Sequence, residues 1–384
     1  MFKISSSTRK YVLLFALWRI MLLIPVVVGG LLLLYRSGYR YTNILMQQNP
    51  AFLQGIFYAW ANFDGVHYIE IARNGYTDQA RFLPLFPLLI RVVSYGLFFV
   101  REELLRFYLA GLLLSNTCTV ALVWFLYKLI SLDFKRSIVH KTLLFLLLFP
   151  TSFFLGAVYA ESLFLLLAVG SFICARKQQW LLSCLLAAFA CTTRIVGIAL
   201  IPALAFEMYQ QHTLKFTWKH VASLAVIPSL LIVYALFNLY KWHDALYFIT
   251  AHTELANGRS ANIVLIPQTL VRYIKIFIAV PFTQYEWWIA SLEFSMFFYA
   301  TWGLWFAWKK HVRMSYIIFS IGAFLIPTFS GTFTGLPRYA LVLFPLFIAL
   351  AHIENKVVKT IIITAHILLL FILTILFSRG YYVG

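Results

Sequence analysis

The feature that most limits this chain is a succession of apolar runs, each near the length of about 20 residues that carries a helix across a bilayer. Tyr11 to Tyr35, Leu104 to Ile130 and Trp180 to Phe206 are dominated by Leu, Ile, Val, Phe and Ala, and Lys and Arg gather in short turns between such runs. Charged residues make up 11% of the 384, whereas soluble domains run at about 25%. An ordinary cytosolic globule is excluded by that contrast. Lys and Arg number 31 against 13 Asp and Glu, a net charge of +18. On a soluble protein this excess would point to nucleic acid. Here the basic residues flank apolar runs, where they orient a bilayer protein, so membrane lipids are expected partners and nucleic acid is not. Cys118, Cys174, Cys184 and Cys191 lie inside apolar stretches without metal-ligand spacing, which indicates neither a disulfide framework nor a zinc site. The expected fold class is an all-α polytopic membrane protein.

Charge placement predicts which way the chain is threaded. Lys3, Arg9 and Lys10 precede the first run, which is too long for the apolar core of a signal peptide and has no small-residue cleavage site behind it. It reads as an uncleaved anchor with a cytoplasmic N-terminus. The basic turns at Lys135–Lys141, Arg176–Lys177, Lys215–Lys219, Lys309–Arg313 and Lys356–Lys359 all fall inside only if Phe82 to Ile130 crosses once. Leu104 to Ile130 is then the span. Phe82 to Val100, with Pro84, Pro87 and Arg91, is a juxtamembrane or re-entrant segment. By the same logic Ile263 to Val280 is an outer-surface helix carrying Gln268, Arg272 and Lys275 on one face. The Trp180–Phe206 run, with Arg194 near its centre, reads as two shorter helices meeting at the outer surface around Thr192–Arg194. The pattern predicts about 11 spans in a single membrane domain over residues 1–384. Residues 36–106 form its first outer loop and juxtamembrane segments, and residues 241–285 a second large outer loop.

Under this threading the ionisable residues that structure alone explains least come out on one face: Asp64, His67, Glu161, Arg194, His243, Asp244, His252, Glu254, Arg259 and Arg338. Such residues are costly at membrane depth and mark function by default. If residues 56–73 are helical, Asp64, His67 and Tyr68 share one face, and Trp60, Phe63 and His67 a neighbouring one. The alternative is a surface helix whose Asp is solvated while its aromatics lie among headgroups. Glu161, between two apolar helices, needs either a structural partner, for which Arg194 is a candidate, or a substrate hydroxyl. Arg194 and Arg338, the latter beside Tyr339, can snorkel outwards as anchors or hold an anionic phosphate by charge-assisted hydrogen bonds. The His243/Asp244 and His252/Glu254 spacings do not put both members on one helical face, so no metal is expected.

The blocks Phe63-Asp64-Gly65, His67-Tyr68, Ile71-Ala72 and Gly75-Tyr76, followed by Phe82 to Leu88, resemble the family of the second mannosyltransferase of GPI-anchor assembly and its prokaryotic relatives. Phe149 to Phe154, Tyr159 to Ser162, Thr193-Arg194 with Gly197, and Leu336 to Tyr339 with Phe344-Pro345 continue the resemblance in order to about residue 350. A departure is Phe63, where that family usually shows Trp before the Asp, which concerns the aromatic neighbour and not the carboxylate. The short loops are more like a prokaryotic relative.

What the resemblance implies is a GT-C type glycosyltransferase, a helical bundle with its active site at the outer or lumenal surface. Its location would be the plasma membrane in a prokaryote or the endoplasmic reticulum in a eukaryote. The donor would be a polyprenyl-phosphate sugar, here mannose, and the acceptor a glycolipid or lipid-linked glycan. The presumed base of the first outer loop maps onto Asp64. Such a donor needs no nucleotide cradle, and no Gly-rich phosphate loop is present. No cofactor is expected. Asp64 would accept the acceptor's proton, while Arg194 and Arg338 would stabilise the departing phosphate. Glu161, His67, Tyr68, Tyr159 and Tyr339 would complete the site; a second division of labour makes Glu161 the base. A transporter or lipid flippase without chemistry is the competing class, but it predicts an internal repeat, which the sequence lacks.

Overall fold

The structure, a computed structural model, describes residues 6–36, 52–212, 218–255, 260 and 262–384. All regular structure among them is helical. Four helical stretches are long and apolar enough to cross a membrane: Lys10–Leu32, Glu103–Ile130, Trp218–Trp242 and Lys356–Ser378. Leu85–Gly96, Trp180–Cys191, Ile195–Gln211 and Met314–Thr328 are shorter apolar helices. The chain is an integral membrane protein. It folds as two compact units: residues 1–78, 84–169 and 355–383 form the first, and residues 79–83 with 170–354 the second.

In the first unit Tyr11 packs at a tilt against Tyr127 with ring centroids 5.0 Å apart, and Tyr127 stacks on His140. The start of the first helix, the end of Glu103–Ile130 and the start of Arg136–Leu147 therefore share one end of the unit. Leu85–Gly96 has only 12 residues, too few to span. Its Arg91 donates from Nε to the Ala72 carbonyl (2.5 Å) and from Nη2 to that of Arg73 (3.0 Å). Arg91 thereby satisfies the last carbonyls of the helix Asp64–Asn74 with a cation.

In the second unit Glu207 is wholly buried and ties its helix, Leu200–His212, to the turn of Arg313. Arg313 grips it through Nε (2.7 and 3.0 Å) and Nη2 (2.7 Å), and Ser315 Oγ and Gln211 Nε2 also donate to it. Gln211 reaches the Ala175 carbonyl as well, and Arg176 donates to the Tyr316 hydroxyl (3.0 Å). From the turns of Arg176 and Arg313 the helices Trp180–Cys191 (12 residues) and Met314–Thr328 (15 residues) run about 18 and 22 Å at 1.5 Å per residue. They deliver the turns bearing Arg194 and Arg338 to the opposite end. The Trp180–Phe206 run is broken where the sequence predicts: a helix to Cys191, a turn over 192–194, then a 3₁₀ segment Ile195–Ala199 leading into Leu200–His212. Gly197 makes this hairpin possible, because a Cβ there would lie 2.8 Å from the Cys191 backbone nitrogen.

The helix predicted over Ile263 to Val280 occurs as Ile266–Ala279, with Gln268, Arg272 and Lys275 exposed and Thr269 and Tyr273 buried.

Candidate active site

One expectation fails in an informative way. Residues 56–73 are not one helix: Phe52–Tyr58 passes into a 3₁₀ turn at Ala59–Ala61, and a new helix begins at Asp64. The break lies at Asn62 and Phe63, where Phe63 takes φ 60° and ψ −116°. This is left-handed territory that a bulky residue adopts only when its surroundings over-determine it. Those surroundings are visible. The buried Phe63 ring packs on Phe377 and Tyr382 (5.8 Å each), and Asn62 Nδ2 donates to the Phe377 carbonyl (2.7 Å). Asp64, His67 and Tyr68 do share the new helix, at i, i+3 and i+4, but Trp60 and Phe63 are outside its register.

The break lays residues 60–64 beside the buried 149–161 segment. The Val158 amide donates to the Trp60 carbonyl (2.8 Å), and the Tyr159 hydroxyl to the Asn62 carbonyl (2.8 Å). Asp64 is two residues beyond Asn62 and Glu161 two beyond Tyr159, so each carboxylate-bearing residue follows closely on this pairing. Each opens a helix, Asp64–Asn74 and Glu161–Arg176, where the N-terminal dipole complements a negative charge. Gly65 permits the close approach: a Cβ there would sit 3.3 Å from the Val158 carbonyl oxygen. Asp64 is half-buried, whereas Glu161 is 1% exposed. Its neighbours His67 and Tyr68 are buried; His67 Nδ1 lies 4.0 Å from Glu70, and Tyr68 packs edge-on against Phe86.

A buried, largely non-helical stretch needs partners for its carbonyls, and the apolar helix Glu103–Ile130 supplies them. Thr119 Oγ1 donates to Leu155 (2.6 Å), Asn116 Nδ2 to Gly156 (3.3 Å) and Ser115 Oγ to Tyr159 (3.4 Å). This polar face was not among the predicted site features; its signal is the cluster Ser115-Asn116-Thr117 inside a run of Leu.

The second unit holds Arg194, Arg338 and Tyr339. Arg194 is buried, with its Cζ 4.7 Å from the centre of the Tyr339 ring. Arg338 belongs to the short helix Leu336–Ala340, which starts after Gly335 at φ 78°. A carboxylate that the sequence reading overlooked shapes that loop. Buried Glu293 accepts the Gly335 amide at Oε1 (3.2 Å) and the Tyr273 hydroxyl at Oε2 (2.5 Å). Tyr273 in turn accepts the Phe333 amide (3.1 Å), and Arg272 donates to the Gly331 carbonyl (3.1 Å). Burial, reinforced by the Glu293 charge, pushes the Tyr273 phenol well above its ordinary value, so it serves as a hydrogen-bond donor.

His243 and Asp244 serve the chain's geometry instead. His243 ends a helix at φ 58°, and Asp244 accepts the Leu246 amide (2.8 Å) and the Thr250 hydroxyl (3.4 Å). Arg259 and the side chains of His252 and Glu254 lie outside the described residues.

A second overlooked residue is Arg19, within the first apolar helix. Its guanidinium carbon lies 3.8 Å from the centre of the Trp60 ring.

The sequence of residues 2–287 matches the family described as Mannosyltransferase (PIG-V). Over 169 residues the chain is 31% identical to the GPI mannosyltransferase 2 proteins of two strains of Cryptococcus neoformans var. neoformans serotype D. That match covers 42% of this chain and 40% of each relative. Among solved structures, the Archaeoglobus fulgidus oligosaccharyltransferase with zinc and sulfate aligns over 85% of this chain and 49% of its own, at 14% identity and a TM-score of 0.46. Its form tethered to an acceptor peptide aligns over 96% and 56%, at 12% identity and a TM-score of 0.45. On the sequence match over residues 2–287, the chain belongs to the mannosyltransferase (PIG-V) family.

Proposed function

We propose that this protein is an inverting glycosyltransferase of the GT-C type that moves a sugar, mannose, from a polyprenyl-phosphate donor to a glycolipid or lipid-linked glycan. It would do so at the outer or lumenal face of a bundle of about 11 spans, in one transmembrane domain with its N-terminus in the cytoplasm. Family membership supports the transferase class. The observation that supports the mechanism is the pairing of residues 60–62 with 158–159, two positions before each of Asp64 and Glu161.

In a single displacement the acceptor hydroxyl attacks the anomeric carbon while the bond from that carbon to the phosphate oxygen breaks. The hydroxyl proton passes to the Asp64 carboxylate and polyprenyl phosphate leaves. Asp64 takes the base role because it is the more open of the two carboxylates, within reach of an incoming hydroxyl. Buried Glu161, with His67, Tyr68 and Tyr159, orients sugar or acceptor hydroxyls. Arg194 and Arg338, with Tyr339 stacked against Arg194, stabilise charge on the departing phosphate. This displacement calls for no cofactor.

The test uses the purified full chain and its Asp64→Asn variant, each given short-chain polyprenyl-phosphate [³H]mannose with a mixture of acceptor lipids. Transfer by the parent, lost in a variant that still folds and binds donor, is the expected result. Equal transfer by both moves the base to Glu161. Absence of both donor binding and transfer in the parent sinks the transferase reading in favour of a transporter.

A further inference from the structure

Arg19 is the residue least explained by the fold. It sits nine positions past Lys10 in the stretch Lys10–Leu32, about 14 Å along the helix, among apolar side chains. A guanidinium at such depth is expensive and is kept where it meets an anion or lines a substrate path. Among the described residues no acceptor is hydrogen-bonded to its Nη1, an atom withdrawn from the surface, although the residue as a whole is half-buried. The nearby Tyr108 hydroxyl is committed to the Phe57 carbonyl, and Trp18 Nε1 to that of Leu147 (2.8 Å). The contact Arg19 does make is with the face of the Trp60 ring. Stacking occupies the face of a guanidinium and leaves its N–H donors pointing outward in the plane, the fork that matches a phosphate. Room for this arrangement is specific, since a Cβ on Gly156 would lie 2.9 Å from Nη1.

We infer that Arg19, held against Trp60, is a binding site for a lipid-borne phosphate, in the same unit as Asp64 and Glu161. The anion must be attached to a lipid because the guanidinium lies within an apolar span. The inference deepens the proposed function and rests on it: the phosphate would be that of the polyprenyl donor or that of a phospholipid acceptor. In either case Arg19 contacts substrate directly.

The experiment places the full chain in nanodiscs of uncharged lipid and measures binding of three labelled probes: a short-chain polyprenyl monophosphate, phosphatidic acid, and the corresponding uncharged polyprenol. The parent is expected to prefer at least one phosphate over the polyprenol by about tenfold or more, the scale of a charge-assisted pair. Arg19→Gln should reduce that preference to about twofold or less at an unchanged thermal transition. Gly156→Ala keeps the charge but displaces the guanidinium, and should do the same; it carries the test if Arg19→Gln does not fold. Preference for the polyprenyl phosphate identifies the donor as the source, and preference for phosphatidic acid the acceptor. A preference unchanged in both variants overturns the inference and leaves the transferase reading intact. A parent that shows no preference overturns both.

Discussion

The backbone at Phe63 permits a test in which the usual order of two substitutions reverses. Replacing Phe63 by Ala removes a buried ring packed against Phe377 and Tyr382, a loss of about 3–5 kcal/mol, and keeps the penalty of φ 60°, ψ −116°. Replacing it by Gly removes the same ring but relieves that penalty, about 1–3 kcal/mol for a residue with a Cβ. Gly loses more conformational freedom on folding than Ala, about 0.5–1 kcal/mol. The balance favours Phe63→Gly over Phe63→Ala by about 1 kcal/mol, whereas in an unstrained position Ala would win. In a protein of this size the gap is about 2 °C in thermal transition, readable by differential scanning fluorimetry in one detergent with matched heating rates. Phe63→Trp, which keeps both ring and strain, belongs near the parent. Finding Phe63→Ala as stable as Phe63→Gly, or more so, would refute the argument that packing forces this backbone. The way Asp64 is aimed would then need another cause.

Three further outcomes are expected. Gly111→Ala would place a Cβ 2.6 Å from Val158 Cγ1, an overpacking cost of about 1–3 kcal/mol; the double variant with Val158→Ala should recover most of it in the same melting assay. Removing Arg313 leaves Glu207 buried without its cation, about 3–5 kcal/mol, so Arg313→Ala should melt well below the parent, while Glu207→Leu with Arg313→Met recovers much of the loss. Glu293→Leu strands the Tyr273 hydroxyl and the Gly335 amide, costing about 1–3 kcal/mol per group. If Glu293 sets the loop of Arg338, donor KM should rise in Glu293→Gln as measured on the fraction that stays folded; a pure stability effect would lower the melting temperature and leave KM unmoved.

Much of this arrangement is legible in the residues. Basic turns and proline placement identify Phe82 to Val100 as a segment that does not cross and Thr192–Arg194 as a hairpin tip, and the cost of ionisable groups in lipid singles out Asp64, Glu161, Arg194 and Arg338. Other features leave no trace in residue type. A positive φ on Phe63 is imposed by rings more than 300 positions away, so local periodicity runs straight through the break. Ser115, Asn116 and Thr119 read as tolerated polar residues in a span, because what they bond to, the carbonyls of 155–159, is not written in any side chain. Glu207, Glu293 and Arg19 are masked by the apolar average of their runs, although the rule that flags Asp64 applies to each of them. Asp244 shows the converse, an ionisable residue used to start a helix.

The tie between Asn62 and the Phe377 carbonyl spans 315 positions, and this separation bears on how the protein is made. A ribosome delivers Asp64 early and Phe377 near the end of this sequence. In the interval the polypeptide holds a carboxylate-bearing turn whose supporting rings have not yet been synthesised. Maturation of the first unit is therefore tied to completion of the helix Lys356–Ser378, and a nascent or truncated chain that reaches the membrane without residues 356–382 lacks the rings and the carbonyl that hold the break at Asn62 and Phe63.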